Sequence, residues 1–241
     1  MGKASRGKNT RPLGKIKKQR DWFPIIAAAG VAVLIAVVAT VTVLGNNAAN
    51  APAKSPASAS VNQETGAITI GTGPTIIDEY IDLGCPACNA WFSKSSGDVS
   101  DVVERGLATL NIHPISILDN QFQGTEYSTR AASATYCVAD TNAEAAYGFI
   151  SSLYKNQPQE GSTGLTDEEL ISYATEAGAP DAASCITNGD YKDFVSERTG
   201  DTPIQEGAGG ISTPTIQVDG SFISPSSDPK ESIVAVAETR E

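Results

Sequence analysis

Two cysteines, Cys85 and Cys88, stand three positions apart in the segment DLGCPACNAWF, residues 82–92. The segment follows a predicted strand, and Pro86 occupies the first-turn position that a helix tolerates best. At a helix N-terminus the free N–H groups and the helix dipole favour a thiolate, which lowers the pKa of the first cysteine. The spacing therefore predicts a redox pair in which Cys85 is the attacking sulfur and Cys88 the resolving sulfur.

Two other interpretations of this pair stay open from the sequence. A zinc site needs about four nitrogen or sulfur ligands, so it would have to recruit His113 or the distant Cys137 and Cys185. The pair could also be an inert structural disulfide. We predict the redox pair, with no metal site and no bound cofactor.

The charge of the chain is divided between two regions. Residues 1–20 carry eight of the 17 basic residues and no acidic residue. After residue 44 there are nine basic and 27 acidic residues, a formal net charge of −18. This acidic part argues against nucleic acid as a partner. For the basic tail nucleic acid is an alternative to membrane orientation, although no aromatic residues are interleaved with the charges.

An uncharged run, IIAAAGVAVLIAVVATVTVL, occupies residues 25–44. At about 1.5 Å per helical residue it matches the ~30 Å hydrocarbon core of a bilayer, which predicts one transmembrane helix. The basic residues before it predict a cytoplasmic N-terminus. A cleaved signal peptide ending near Ala49-Asn50-Ala51 is the alternative, but the apolar run is longer than such peptides use.

These features predict four regions of the chain. They are a basic cytoplasmic tail at 1–24, the transmembrane helix at 25–44, a flexible linker at 45–62 and an extracytoplasmic domain at 63–241. The linker prediction depends on a composition of Ala, Asn, Ser and Pro without apolar periodicity.

All four cysteines fall in the predicted extracytoplasmic domain, where disulfides form and persist. An even number of cysteines there favours two pairs. Cys137 and Cys185 lie in separate helical segments and neither belongs to a CxxC motif, so we predict that they form a structural disulfide.

The pattern of the domain alternates between strands and helices, which is typical of an α/β fold. Predicted strands cover 66–70, 74–83 and 107–118. One predicted helix starts at residue 85, a second covers 96–106, and a helical block follows over about 125–206. Val218-Asp219-Gly220-Ser221 then predicts a hairpin of the Asp-Gly type within 212–225, and residues 227–240 predict a final amphipathic helix.

The segments DEYIDLGCPAC and ISTPTIQVDG together resemble the thioredoxin superfamily. The helical block between them is similar to the DsbA-like branch of secreted thiol:disulfide oxidoreductases. A membrane-tethered, acidic domain resembles the actinobacterial, MdbA-like type within this branch. The resemblance covers about residues 63–241 and implies a thioredoxin-like fold with an inserted helical block.

The resemblance also implies roles for three further residues. Pro214 matches the cis-proline that faces the redox pair, and Thr213 matches the residue whose backbone pairs with a substrate chain. An ordinary strand-entry proline is the alternative for Pro214. Glu79, six residues before Cys85, matches a buried acid that relays a proton to or from Cys88. For Glu79 the alternative is an acid at the edge of the sheet, together with Asp78 and Asp82.

Several residues near the motif have simpler explanations. His113, the single histidine, precedes Pro114 in a predicted strand and is expected to be structural rather than catalytic. Trp91 and Phe92 are expected in the core, with a substrate groove as the alternative. Ala87 occupies a position where the DsbA pattern has histidine, which leaves the helix terminus alone to stabilise the thiolate.

The sequence therefore predicts a membrane-anchored thiol:disulfide oxidoreductase that introduces disulfides into reduced, exported proteins. It needs a separate reoxidant as a second partner. A reductase or isomerase using the same pair, and a thioredoxin-like binding module without turnover, are the alternatives.

Overall fold

The computed structural model describes residues 53–240, so the predicted cytoplasmic tail, the transmembrane helix and the first part of the linker lie outside the described residues. Between residues 53 and 240 no helix combines the length and the apolar character needed to cross a bilayer. The predicted membrane anchor stays a prediction.

Five strands form one sheet in the order β1-β3-β2-β4-β5. The strands are β1 Ile68–Gly71, β2 Thr75–Ile81, β3 Ala108–Pro114, β4 Thr215–Val218 and β5 Ser221–Ile223. β2 and β3 are parallel, and the other neighbouring pairs are antiparallel. β2 is therefore the middle strand, with two strands on each side of it in the sheet.

Helix α1, Pro86–Glu104, connects the parallel strands β2 and β3. The sequence predicted two helices here, and this prediction is wrong, because α1 continues for 19 residues through Gly97. A Cβ at Gly97 would contact nothing within 4 Å, so this position faces open space. The buried side chains Trp91, Val99 and Val102 hold one continuous face of the helix against the core, which outweighs the ~1 kcal/mol that a helical glycine costs.

A layer of helices separates β3 from β4, as predicted. Its members are α2 Tyr127–Thr141, α3 Ala145–Lys155, α4 Asp167–Glu176, α5 Ala183–Asn188 and α6 Lys192–Gly200. The start of α4 is a capping box, in which the Glu169 N–H donates to Thr166 Oγ1 and the Thr166 N–H donates to Glu169 Oε2. Cys137 of α2 and Cys185 of α5 are joined by a disulfide with an S–S distance of 2.02 Å.

The hairpin between β4 and β5 has the predicted Asp-Gly turn. Asp219 and Gly220 both have positive φ, 49° and 77°, which matches the two-residue turn that suits the twist of adjacent strands. The last helical segment begins later than predicted, after Pro229. It consists of a π-helical turn, Lys230–Val234, and the short helix α7, Ala235–Glu238.

Residues 53–62 pack on the domain, so the flexible-linker prediction is wrong for this part of the segment. The N–H groups of Ala57 and Ser58 donate to Asp140 Oδ1 at 2.6 and 2.7 Å, and Lys54 pairs with Asp190. Val61 is buried and forms a β-bridge with Ile68. The composition alone did not reveal these partners, because Asp140 and Asp190 belong to the distant helical layer.

Candidate active site

The two motif cysteines lie where β2 ends and α1 begins. Cys85 is the N-cap of α1 with extended backbone angles, and Pro86 is the first helical residue, as predicted. Cys85 is 6% exposed and Cys88 is fully buried, while Pro86 and Ala87 between them are exposed. Both cysteines are free thiols. The motif therefore presents the first sulfur near the surface and holds the second beneath it.

The surroundings of Cys85 stabilise its thiolate. Its pKa is lowered from 9.0 to about 6, mainly by a hydrogen bond from the Cys88 side chain, with smaller contributions from Thr213 and from the N–H groups of Ala87 and Cys88. Partial burial opposes this shift but is outweighed. Since this pKa lies below 7, Cys85 is mainly a thiolate at neutral pH.

Cys88 has the opposite character. Burial is the largest cause that raises its pKa well above 9.0, followed by the hydrogen bond and the negative charge of Cys85. Loss of its proton to bulk water is hindered because the side chain has no exposed surface. The pair is therefore asymmetric, with one ready nucleophile and one protonated thiol.

Glu79 is a buried carboxyl group in the middle strand. It is 4% exposed, pairs in register with Ile112 of β3 and Ile216 of β4, and accepts a hydrogen bond from Trp91 Nε1 at 2.8 Å. Burial raises its pKa from 4.5 to about 7, against the effect of the Trp91 bond. Trp91 is one turn after Cys88 on α1. The alternative of an acid at the sheet edge is wrong for Glu79.

Asp82 is a second buried acid, and the sequence analysis gave it no role. Its side chain is fully buried and accepts three backbone N–H groups, from Gly84 at 2.8 Å, Ile117 at 2.8 Å and Leu118 at 3.1 Å. It thereby ties the loop before Cys85 to the loop after β3. In the sequence Asp82 stands between the apolar residues Ile81 and Leu83, and this position was the signal that could have revealed its burial.

The Thr213–Pro214 peptide bond is cis, and the fold brings it to the motif across 128 residues of sequence. Cys85 Sγ lies 3.5 Å from the Thr213 carbonyl oxygen, which accepts a hydrogen bond when the thiol is protonated. A groove of about 270 Å³ extends from this contact. It is lined by uncharged residues only: Ala87, Gln205, Ala208, Ser212, Thr213, Pro214, Thr215, Ile216, Phe222, Ile223 and Pro225.

His113 lies away from the redox pair. Its ring stacks on Tyr80 with centroids 4.0 Å apart, and its nitrogens contact Asp78 Oδ1 at 3.1 Å and the Thr65 carbonyl at 3.2 Å. Tyr80 and Asp78 alternate with Glu79 along β2, so they face the other side of the sheet. His113 is therefore a structural residue of that face.

The residues needed for the zinc alternative are engaged elsewhere. Cys137 and Cys185 are bonded to each other, and the stretch from 53 to 240 brings no three metal-ligating side chains together.

Trp91 and Phe92 belong to the core, as expected, and Phe92 packs against Tyr154 with ring centroids 5.2 Å apart.

Sequence comparisons match the same part of the chain. The family model described as thioredoxin matches residues 65–236. A serine/threonine-protein kinase, PknE of Mycobacterium tuberculosis, is 35% identical over 164 residues, which is 65% of this chain. The chain spans only 28% of the length of this curated relative.

Solved structures of thiol-disulfide oxidoreductases have a similar fold. DsbA of Mycobacterium tuberculosis in its reduced form has a TM-score of 0.63 at 28% identity, covering 72% of this chain and 91% of that chain. Reduced DsbG of the same organism has a TM-score of 0.65 at 28% identity, covering 75% and 89%. MdbA of Corynebacterium matruchotii, with a TM-score of 0.58, 23% identity and coverage of 68% and 86%, shows the likeness of the fold alone.

Proposed function

Because the chain belongs to the thioredoxin family, with a fold similar to DsbA and DsbG, we propose that it introduces disulfides into exported proteins through Cys85 and Cys88. The observation that carries this proposal is the asymmetry of the two thiols. Cys85 has a pKa of about 6 and lies against the cis Thr213–Pro214 bond, whereas Cys88 is buried with a raised pKa.

The reaction starts from the oxidised Cys85–Cys88 pair. A client thiolate attacks Sγ of Cys85, the internal S–S bond breaks, and Cys88 leaves as a thiolate that takes up a proton. A second client thiolate then attacks the client sulfur of the mixed disulfide, and Cys85 leaves as a thiolate. Two electrons pass from the client to the enzyme. A separate reoxidant accepts them, and no bound cofactor is required.

Glu79 supplies the proton to Cys88 in this scheme. A buried thiolate at Cys88 is poorly solvated, and Glu79, with a pKa of about 7, holds its proton near neutral pH and can release it. Asp82 is less suited to this role, because both of its carboxylate oxygens already accept backbone N–H groups.

The client chain binds beside Thr213. Within residues 53–240 the Thr213 N–H donates no hydrogen bond, which leaves it available to pair with an extended chain. The adjoining groove has no charged lining residue, although residues 45–241 are strongly acidic. Such a groove suits uncharged residues that flank the client cysteine.

The domain works outside the cytoplasm, anchored by the predicted transmembrane helix at 25–44. Protease added to intact cells should digest the domain and leave residues 1–20 protected. Recovery of a released soluble domain that starts near residue 50 would show that the anchor is cleaved and that this part of the proposal is wrong.

A reductase would use the same pair with the opposite electron flow, and an isomerase would use it without net electron transfer. The absence of a histidine at Ala87 favours these alternatives, because the thiolate then has no histidine partner. The test is refolding of a reduced protein that needs disulfides, together with the redox potential of the pair. We expect the oxidised domain to restore client activity in stoichiometric single turnovers. A potential as low as that of thioredoxin, about −270 mV, would favour the reductase instead. Absence of any exchange would favour a binding module.

A further inference from the structure

Gln157, at the end of a helix of the helical layer, donates hydrogen bonds to the loop that carries the redox motif. This residue follows the C-terminal end of α3, which ends at Lys155. Pro158 comes next and disfavours helical backbone angles at Gln157, so the chain leaves the helix at this point. Gln157 is half-buried, and its side chain points to the loop that carries Cys85.

Both ends of the Gln157 side-chain amide form hydrogen bonds at the motif. Nε2 donates to the carbonyl oxygens of Leu83 and Cys85, both at 3.0 Å. Oε1 accepts from Asn89 Nδ2 at 3.1 Å, and the same Asn89 nitrogen donates to the Tyr154 carbonyl at 2.9 Å. The end of α3 and the first turn of α1 are thus joined by one continuous network.

The two carbonyls that Gln157 binds are on either side of the reactive cysteine's nitrogen. The Leu83 carbonyl has no other donor in the described chain, and the Cys85 carbonyl also accepts the first helical bond, from the Asn89 N–H at 3.1 Å. Without Gln157 the buried Leu83 carbonyl, two residues before Cys85, would have no hydrogen-bond donor among residues 53–240. An unpaired buried carbonyl is costly, so the loop would also rearrange.

We propose that Gln157 is a positioning residue that sets the proton affinity of Cys85 and, through it, the oxidising strength of the pair. It holds the loop so that the N–H groups of Ala87 and Cys88 point at the thiolate, and it neutralises two carbonyl dipoles beside that negative charge. This inference rests on the proposed function only in taking Cys85 and Cys88 as the exchanging pair.

The direction of the effect follows from the charge of the thiolate. Loss of the Gln157 amide protons makes the site less favourable for negative charge, so the pKa of Cys85 rises. The reduced form then loses stabilisation relative to the disulfide, and the pair becomes a weaker oxidant.

The test compares Gln157→Met, which keeps the length of the side chain but not its hydrogen bonds, with Gln157→Glu, which adds a carboxylate facing the two carbonyls. Gln159→Met is the matched control, since Gln159 is exposed on the other side of Pro158. The thiolate pKa is measured by ultraviolet absorbance against pH, and the redox equilibrium is measured against glutathione.

We expect Gln157→Met to raise the Cys85 pKa by about half a unit to one unit, and Gln157→Glu to raise it further. The equilibrium constant with glutathione should shift toward the disulfide form by up to about tenfold, which corresponds to ~30 mV. Asn89→Ala, which removes one anchor of the Gln157 amide, should cause a smaller shift in the same direction. The control should match the wild-type protein.

An unchanged Cys85 pKa in a folded Gln157→Met protein would overturn the inference, and so would an equal shift in Gln159→Met. If Gln157→Met does not fold, the Asn89→Ala pKa decides in the same way. The thiolate titration needs no client, so it tests Gln157 even if the wild-type pair fails to oxidise any protein. Failure of the wild-type pair to oxidise any protein would count against the proposed function and not against the role of Gln157.

Discussion

The two cysteine pairs of this domain have the same side chains but differ in state, since one is a pair of free thiols and the other is a disulfide. Cys85 and Cys88 are three residues apart at a helix N-terminus, are free thiols and have pKa values shifted in opposite directions. Cys137 and Cys185 are 48 residues apart, join two helices of the helical layer and are bonded. The pKa of a cysteine here depends on nearby hydrogen-bond donors and on burial, rather than on the thiol itself.

The largest effect is expected from removing the sulfurs of the redox pair one at a time. Cys85→Ala removes the accessible nucleophile, so client exchange should fall to the uncatalysed rate with no captured complex. Cys88→Ala leaves the activated Cys85 without its resolving partner, so mixed disulfides with clients should accumulate. Non-reducing gels of cells, or of protein given an oxidised client, measure both results.

The single-cysteine variant cannot form its own internal disulfide, so an external oxidant or an oxidised client must be present in this experiment. Adducts that form through Cys88 in Cys85→Ala, or their absence in Cys88→Ala, would reverse or remove the proposed division of roles.

The second pair should affect stability and leave the chemistry unchanged. In the chain-entropy account of disulfides, opening the 48-residue loop with Cys137→Ala and Cys185→Ala should lower the free energy of unfolding by about 4 kcal/mol. Denaturant unfolding measures this loss. The Cys85 pKa should stay at its wild-type value, because neither cysteine of this pair contacts the motif. A changed Cys85 pKa in the folded double variant would break the distinction between the pairs.

A smaller effect should come from Glu79→Gln, which removes the buried carboxyl group that accepts a hydrogen bond from Trp91, one turn after Cys88 on α1. Turnover should fall about a hundredfold at neutral pH, since general acid–base catalysis contributes effects of this size. The pH profile should also lose the ionisation near 7. Asp78→Asn, one residue away on the other face of β2, is the matched control and should keep the profile.

Glu79 also predicts a pH dependence of stability. Its pKa in the folded domain, about 7, is above the ordinary value of 4.5, so the folded form binds this proton more tightly than the unfolded chain. The contribution is therefore fully present below about pH 4.5 and is lost as the pH rises to about 7. Stability curves of wild-type and Glu79→Gln protein should diverge over this range, and parallel curves would argue against the raised pKa.

The smallest expected change sharpens the contrast between the pairs. Ala87→His places a group that can carry positive charge next to Cys85, so the Cys85 pKa should fall by up to about one unit. The glutathione equilibrium should then move toward the reduced form by no more than about tenfold. Ala90→His, at an exposed position further along α1, is the control. A shift of equal size in the control would point to a general charge effect.

Several features could be predicted without the structure because they depend on residues that are neighbours in the sequence. The Cys85-Pro86 step marks the strand-to-helix junction, and the Asp219-Gly220 step marks the hairpin turn, because each depends on local backbone preferences. The Cys137–Cys185 pair followed from cysteine number and position. The boundary between residues 62 and 63 was misplaced, and α1 was divided in two, because packing against distant residues decided both.

The sequence by itself therefore determined that Cys85 and Cys88 lie at a strand-to-helix junction and that an α/β pattern surrounds them, since these follow from spacing, caps and turns within a few residues. The order in which the two sulfurs act stays a prediction. Only the tertiary structure decided how deep Glu79 and Asp82 lie, which carbonyl meets Cys85 and that Gln157 holds the motif. Burial and hydrogen-bond geometry arise from residues separated by tens of positions in the chain. Those contacts, in turn, set the pKa values on which the proposed chemistry depends.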